Sequence, residues 1–411
     1  MASAPSVLGE LGAAAEALLP DLVALRRRVH AEPELGLELP RTRQAVLEAL
    51  DGLALEIATG GSTGAVVATL RGARPGRTLL LRADMDALPV EEETGLPFAS
   101  RQPGRMHACG HDAHLAMLVG AARILERRRE DLAGTVKLLF QPGEEGHGGA
   151  RILIEEGLLE SEPAVQAAFA IHVNPILPAG VVATRPGPLL AATDVFAVEV
   201  RGRGGHASMP HDAVDPIPVA CEIVGALQSL VTRRVDAFDP VVLSVTKIEA
   251  GTTHNVIPET ARLLGTTRAV SERARQEVRR GIERVVAGIC AAHDTDARVQ
   301  IFPGYPVTVN DPDFAGFVSG VAAEVVGPAR VAPMKAPIMG AEDFSYILER
   351  VPGAMVFLGV RPAQGPAEPI HSNRMILNED AMSAGAALHA AVALRYLAPG
   401  RAEPATPSSR S

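Results

Sequence analysis

Five candidate ligands, His107, Cys109, His111, Asp112 and His114, fall within the stretch Met106 to His114. Thiolate, imidazole and carboxylate this close in sequence can converge on one cation, and a soft or borderline metal suits the mixture. Packing gives no reason for so skewed a composition. A second cluster runs from Phe140 to Gly146, where Glu144 and Glu145 follow an apolar run and precede glycine. One carboxylate of such a pair can bind metal while the other moves protons. His371 is placed to complete a ligand set. The glycine-rich run Gly202 to His211 presents His206, and Gly251 to Pro258 carries His254 and Asn255. A histidine beside glycines is as often a turn residue as a catalytic one, so both readings stay open there.

These groups need elements to position them. Leu8 to His30 has helical periodicity and ends in Arg26, Arg27 and Arg28, whose charge suits a helix C-terminus and reads as a solvated face. Leu39 to Leu50 is a second helix. Ala65 to Leu70 and Thr78 to Arg82 are short buried strands, the latter running into Asp84 and Asp86. A helix over Ala113 to Arg128 follows the first cluster. A strand over Gly134 to Phe140 delivers Glu144 and Glu145, and another over Ala167 to Val173 carries His172. Strands alternating with helices imply an α/β fold with a mostly parallel sheet wrapped on both faces, and such sheets keep their sites at the strand ends. From Val195 the order becomes βαββαβ, the ferredoxin-like split βαβ arrangement, through Phe302. The expected organisation is a first domain over 1–190, an insertion over 191–303, a return over 304–398, and a disordered Pro- and Ser-rich tail over 399–411.

With 411 residues, two domains are expected. The 39 basic residues against 48 acidic ones give a net charge of -9 with no long basic run, which argues against nucleic acid and anionic membrane as partners. Cys109, Cys221 and Cys290 are too few and scattered for a disulfide framework, which points to a reducing compartment. Met1 to Pro20 lacks the basic start of a signal peptide, no run reaches transmembrane length, and the expected location is the cytoplasm.

Together with Arg82-Ala83-Asp84-Met85-Asp86, these runs resemble the amidohydrolase branch of the two-metal aminoacylase and carboxypeptidase family, which includes hippurate hydrolase and the hydrolases of indole-acetyl amino acids. The resemblance covers about Arg27 to Ala391. It implies a doubly wound catalytic domain, with the inserted domain acting as a lid and usually making a homodimer. It implies two divalent ions per subunit, zinc or manganese first and cobalt or nickel next, held by Cys109, His111, Glu145, His172 and His371. Glu144 is then the general base for cleavage of an N-acyl amino acid, and His206 reaches a partner subunit's cleft as an oxyanion donor. Asn255 and Arg268 suit a substrate carboxylate. Asp86 is expected to orient a ligand imidazole, and Asp84, which stands where wider relatives have a ligand histidine, is left out of the ligand set. His107, Asp112 and His114 are expected to cap and bond the first turn of the following helix. A carboxypeptidase acting on short peptides and a catalytically inactive binding protein are the alternatives.

Overall fold

A computed structural model describes residues 7–398, so the expected tail at 399–411 lies outside the described residues. Contacts divide the chain into two units. Among the described residues, the first holds 7–187, 310–335 and 346–398, and the second holds 188–309 and 336–345. The short segment 336–345 groups with 188–309 and not with the rest of the C-terminal return.

In the first unit an eight-stranded sheet runs in the order Glu56–Thr59, Val66–Arg71, Ala133–Gln141, Arg74–Asp84, Ala167–Asn174, Gly353–Gly359, Val182–Thr184 and Val331–Pro333. The four central strands are parallel. Antiparallel pairings flank them. From Thr78 to Asp84 every residue is buried, as is every residue of Gly353–Gly359, so both faces of the sheet are covered. Central strands that run the same way release Asp84, Gln141 and Asn174 at one edge.

The helices Val7–His30, His111–Arg127 and Met382–Tyr396 pack on one another. Their contact is close because Gly120 has no side chain: a Cβ there would stand 2.9 Å from both Ala386 Cβ and Leu22 Cδ1. The apolar core beneath includes Leu22, Met117, Phe140, Phe169 and Leu388. Arg26 is buried rather than solvated, because its guanidinium is needed inside, where it pairs with Asp112 at 2.8 Å and Glu379 at 2.8 Å. His30 joins Asp112 from the same helix, with Nδ1 at 2.8 Å.

The second unit contains a four-stranded antiparallel sheet in the order Val241–Ala250, Thr260–Ala269, Ala192–Arg201 and Asp296–Pro303. The helices Pro216–Arg234 and Glu272–Ala292 supply the crossovers, giving the βαββαβ order. Alternating burial along Ala192–Arg201 shows one face packed against the helices. At the end of that face Asp194 is clamped by Arg275 at 2.7 Å and Arg279 at 2.6 Å. Among the described residues no helix is long and apolar enough to cross a membrane.

Candidate metal centre

Cys109 and His111 flank Gly110, which caps the helix His111–Arg127 at φ 89°. Only glycine fits there, since a Cβ would lie 2.4 Å from Val173 Cγ2. Glu144 and Glu145 follow the strand Ala133–Gln141, and His172 stands near the end of Ala167–Asn174. His371 adopts φ 67°, a left-handed conformation that histidine tolerates better than most residues, and its N–H donates to Ala108 O at 2.7 Å. That bond sets a late segment of the chain beside Cys109.

Among the described residues five sets of donor atoms each lie within 4.8 Å of one another: Cys109 with His111 and His172, Cys109 with Glu145 and His371, His111 with Glu144 and Glu145, Asp84 with His111 and His114, and Glu144 with Glu342 and Asp343. The structure therefore brings together all five expected ligands and Glu144, with Cys109 common to the first two sets. His172 Nε2 is 3.5 Å from Cys109 Sγ, and His371 Nε2 is 3.4 Å from Glu145 Oε1.

The imidazoles of His111 and His172 are oriented by the backbone. His111 Nδ1 donates to Asp86 O at 2.8 Å, and His172 Nδ1 donates to Val173 O at 2.7 Å. Each therefore turns its Nε2 inward. The Asp86 carboxylate does something the sequence did not suggest. Its two oxygens accept the N–H groups of Glu144 and Glu145, each at 3.0 Å, and so hold both carboxylate residues by their backbone.

A cation fits this donor set. His111 Nε2 and Glu145 Oε1 are buried without a hydrogen-bond partner, an arrangement that costs free energy unless something binds there. Burial lowers the His111 pKa, but Asp84, Asp86 and Glu145 outweigh it and push it up to about 10, so the pocket draws positive charge to that position. His172 is driven down to about 3 by burial and by His114, which leaves it neutral and ready to ligate. Burial and the Glu145 and Glu144 carboxylates raise the Cys109 thiol well above its usual value. A bound cation reverses that preference, because a coordinating thiol gives up its proton.

Asp84, His114 and Asp112 make hydrogen bonds to other groups. Asp84 accepts from Arg82 Nη1 at 2.6 Å and from His114 Nδ1 at 2.5 Å, and His114 Nε2 accepts from Val173 N at 2.8 Å. Helix capping, expected of Asp112 and His114, does not occur: the helix start has no side-chain cap, since Asp112 faces Arg26 and His30 while His114 faces the sheet. His107 is buried with neither ring nitrogen bonded. Arg82 was missed in the sequence, although its place two residues before Asp84 puts both on one strand face.

In the second unit, His206 is exposed on the short strand Gly205–His206, which pairs with Val256–Ile257. Its Nδ1 accepts from Ser208 N at 3.1 Å, so Nε2 carries the proton and is a donor. Ala207 N donates to Asn255 O at 3.1 Å, which sets Asn255 next to His206. Arg268 lies toward the far end of Thr260–Ala269, roughly 26 Å along the strand from Thr260 at about 3.3 Å per residue. Its Nη1 donates to Thr193 Oγ1 and Thr266 Oγ1, both at 2.5 Å. Within one chain, Asn255 and Arg268 therefore do not meet.

Residues 80–395 match the family described as peptidase family M20/M25/M40. Thermostable carboxypeptidase 1 of Saccharolobus solfataricus is 39% identical over 380 residues, covering 91% of this chain and 95% of that protein. IAA-amino acid hydrolase ILR1-like 4 of Arabidopsis thaliana is 39% identical over 385 residues, covering 92% of this chain and 86% of that protein. Among solved structures, the YXEP protein of Bacillus subtilis, described as a dinuclear metal binding peptidase, superposes with a TM-score of 0.81 at 34% identity, covering 93% of this chain and 99% of that one.

Proposed function

The chain belongs to peptidase family M20/M25/M40 and is a metal-dependent hydrolase of amide bonds, and from that premise we propose that it cleaves N-acyl amino acids into a carboxylic acid and an amino acid. The observation that carries this reading is the sharing of Cys109 between two donor sets, with Glu144 beside them. Two divalent ions, zinc or manganese ahead of cobalt or nickel, would be held by Cys109, His111, Glu145, His172 and His371. When bound, they supply a polarised amide carbonyl and a water that readily loses a proton. Glu144 takes the water proton and delivers it to the leaving nitrogen, while Asp86 keeps Glu144 in register by its backbone N–H.

Arg268 offers a guanidinium for the free α-carboxylate of the amino acid. His206 donates from Nε2 to the developing oxyanion, and Asn255 acts with it because the two are neighbours. Their separation from Arg268 favours their coming from a second copy of the chain, so that a homodimer joined through the inserted unit is the working assembly. If so, mixing inactive His206→Ala and Glu144→Gln chains restores part of the activity, and no rescue after demonstrated subunit exchange removes the trans role. Three free cysteines agree with a cytoplasmic location.

A panel of N-acyl amino acids, their amides and methyl esters, and short peptides, assayed with Mn, Zn, Co or Ni, tests the substrate. N-acyl amino acids bearing a free carboxylate should be cleaved best, by some tenfold to more than a hundredfold over their amides, and Arg268→Ala should shrink that ratio. Equal cleavage of acid and amide would overturn the carboxylate reading. Preference for peptides would favour the second reading, a carboxypeptidase, which the likeness to the Saccharolobus solfataricus protein supports.

A further inference from the structure

Beyond the five ligands lies a fully buried chain of polar side chains that the proposed reaction does not use. Arg82 Nε donates to Gln141 Oε1 at 3.0 Å and its Nη1 to Asp84 at 2.6 Å. Asp84 Oδ1 meets His114 Nδ1 at 2.5 Å, and His114 Nε2 meets Val173 N at 2.8 Å. All four side chains are 1% exposed or less.

Pairing between the strands Arg74–Asp84 and Ala167–Asn174 ends at Arg82 opposite Ala170, yet the second strand continues to Asn174. On that side the Val173 amide is beyond the ladder, and a buried N–H without a partner is costly. His114 supplies the acceptor. A peptide N–H can only donate, so His114 Nε2 must be unprotonated and its proton must sit on Nδ1, facing Asp84. Asp84 accepts that proton's hydrogen bond while Arg82 holds its other oxygen. The same Val173 accepts at its carbonyl from His172 Nδ1 and packs its side chain against Gly110 between Cys109 and His111.

We infer that His114, fixed as its Nδ1–H tautomer by Asp84 and Arg82, is a positioning residue that aims His172 by pinning Val173, and so selectively supports the donor set of Cys109, His111 and His172. The set of Cys109, Glu145 and His371 shares only the Cys109 sulfur with that set. The inference rests on the two-metal reading above.

Stepwise metal binding to wild type, His114→Ala and His114→Gln, followed by equilibrium dialysis with elemental analysis, tests it. In His114→Ala one of the two dissociation constants should weaken by about tenfold, the lower end of the range for losing a partner outside the ligand shell, with the other nearly unchanged. His114→Gln, whose amide can accept from Val173 and donate to Asp84, should recover most of that loss. In the metal-free wild type, nitrogen-15 NMR should show His114 protonated at Nδ1 alone. An Nε2–H tautomer, equal weakening of both constants, or unchanged binding in His114→Ala overturns the inference. If His114→Ala does not fold, His114→Gln decides: near wild-type constants support the inference, and loss at both sites overturns it. A wild-type chain that binds no divalent ion overturns the two-metal reading as well, whereas unchanged constants in a folded His114→Ala overturn this inference alone.

Discussion

Asp86 holds two consecutive backbone N–H groups with one carboxylate, and replacing it should separate its structural from its chemical contribution. Hydrogen bonds to a charged group contribute about 1.5 to 3 kcal/mol each, so Asp86→Ala, which strands the amides of Glu144 and Glu145, should destabilise the first unit by roughly 3 to 6 kcal/mol. Asp86→Asn keeps one acceptor oxygen and turns an NH₂ toward the other amide, for a loss of about 1.5 to 3 kcal/mol. The bond from His111 Nδ1 survives both changes because it ends on the Asp86 backbone carbonyl. Urea unfolding of chelator-treated protein, extrapolated to water, measures these losses without any contribution from bound ions. Metal content of the same variants, measured separately, should fall with the positional freedom gained by Glu145. If Asp86→Ala lies within about 0.5 kcal/mol of wild type, the range of an inconsequential surface change, the clamp does not support the structure. Equal losses in the two variants would also refute the reasoning, because the number of acceptor oxygens would then not matter.

Glu144→Gln should lower hydrolysis by roughly a hundredfold to ten-thousandfold while the protein still binds about two metal equivalents, whereas Glu145→Gln should lose metal; equal metal loss in both would end that division of labour. Cys109 should resist alkylation in the metal-loaded protein and react after chelation, with Cys221 and Cys290 as internal controls, and a rate indifferent to metal would exclude the thiol from the ligand set. In the second unit burial would raise the Asp194 pKa, but Arg279 and Arg275 outweigh it and hold the carboxylate below its usual value. Its contribution to stability is therefore complete above the unfolded pKa of about 3.9 and fades as pH falls through the lower folded value. Asp194→Asn should cost about 3 to 5 kcal/mol at pH 7, with the gap to wild type closing in strong acid; a gap independent of pH would mean that charge is not what Asp194 contributes.

The clusters at Met106 to His114 and Phe140 to Gly146 were legible because their residue types are hard to explain by packing, and the long strands and helices were legible from their periodicity. Val182–Thr184 and Val331–Pro333 were not, since three residues carry no alternation to read. The order of the strands in the sheet was hidden too: Gly353–Gly359 lies beside Ala167–Asn174 through contacts far apart in sequence. Arg26 looked like one of three solvated arginines, and its ion pairs with Asp112, 86 residues away, and Glu379, 353 residues away, explain its burial. The same distance effect concealed the task of His114: local capping was expected, whereas its partners are Asp84, 30 residues away, and the backbone of Val173.

The position of His371 also bears on how the protein is made. Cys109, His111, Glu145 and His172 leave the ribosome before any of 188–309, while His371 and the strand that borders His172 follow only after that whole segment. Domains generally fold as units during synthesis, and the second unit's sheet and helices are encoded without interruption between 192 and 303. The first unit must meanwhile wait with one side of Ala167–Asn174 open. A nascent chain thus carries four of the five proposed metal-binding groups on an incomplete sheet, and the full set closes only when nearly all of the polypeptide has been released.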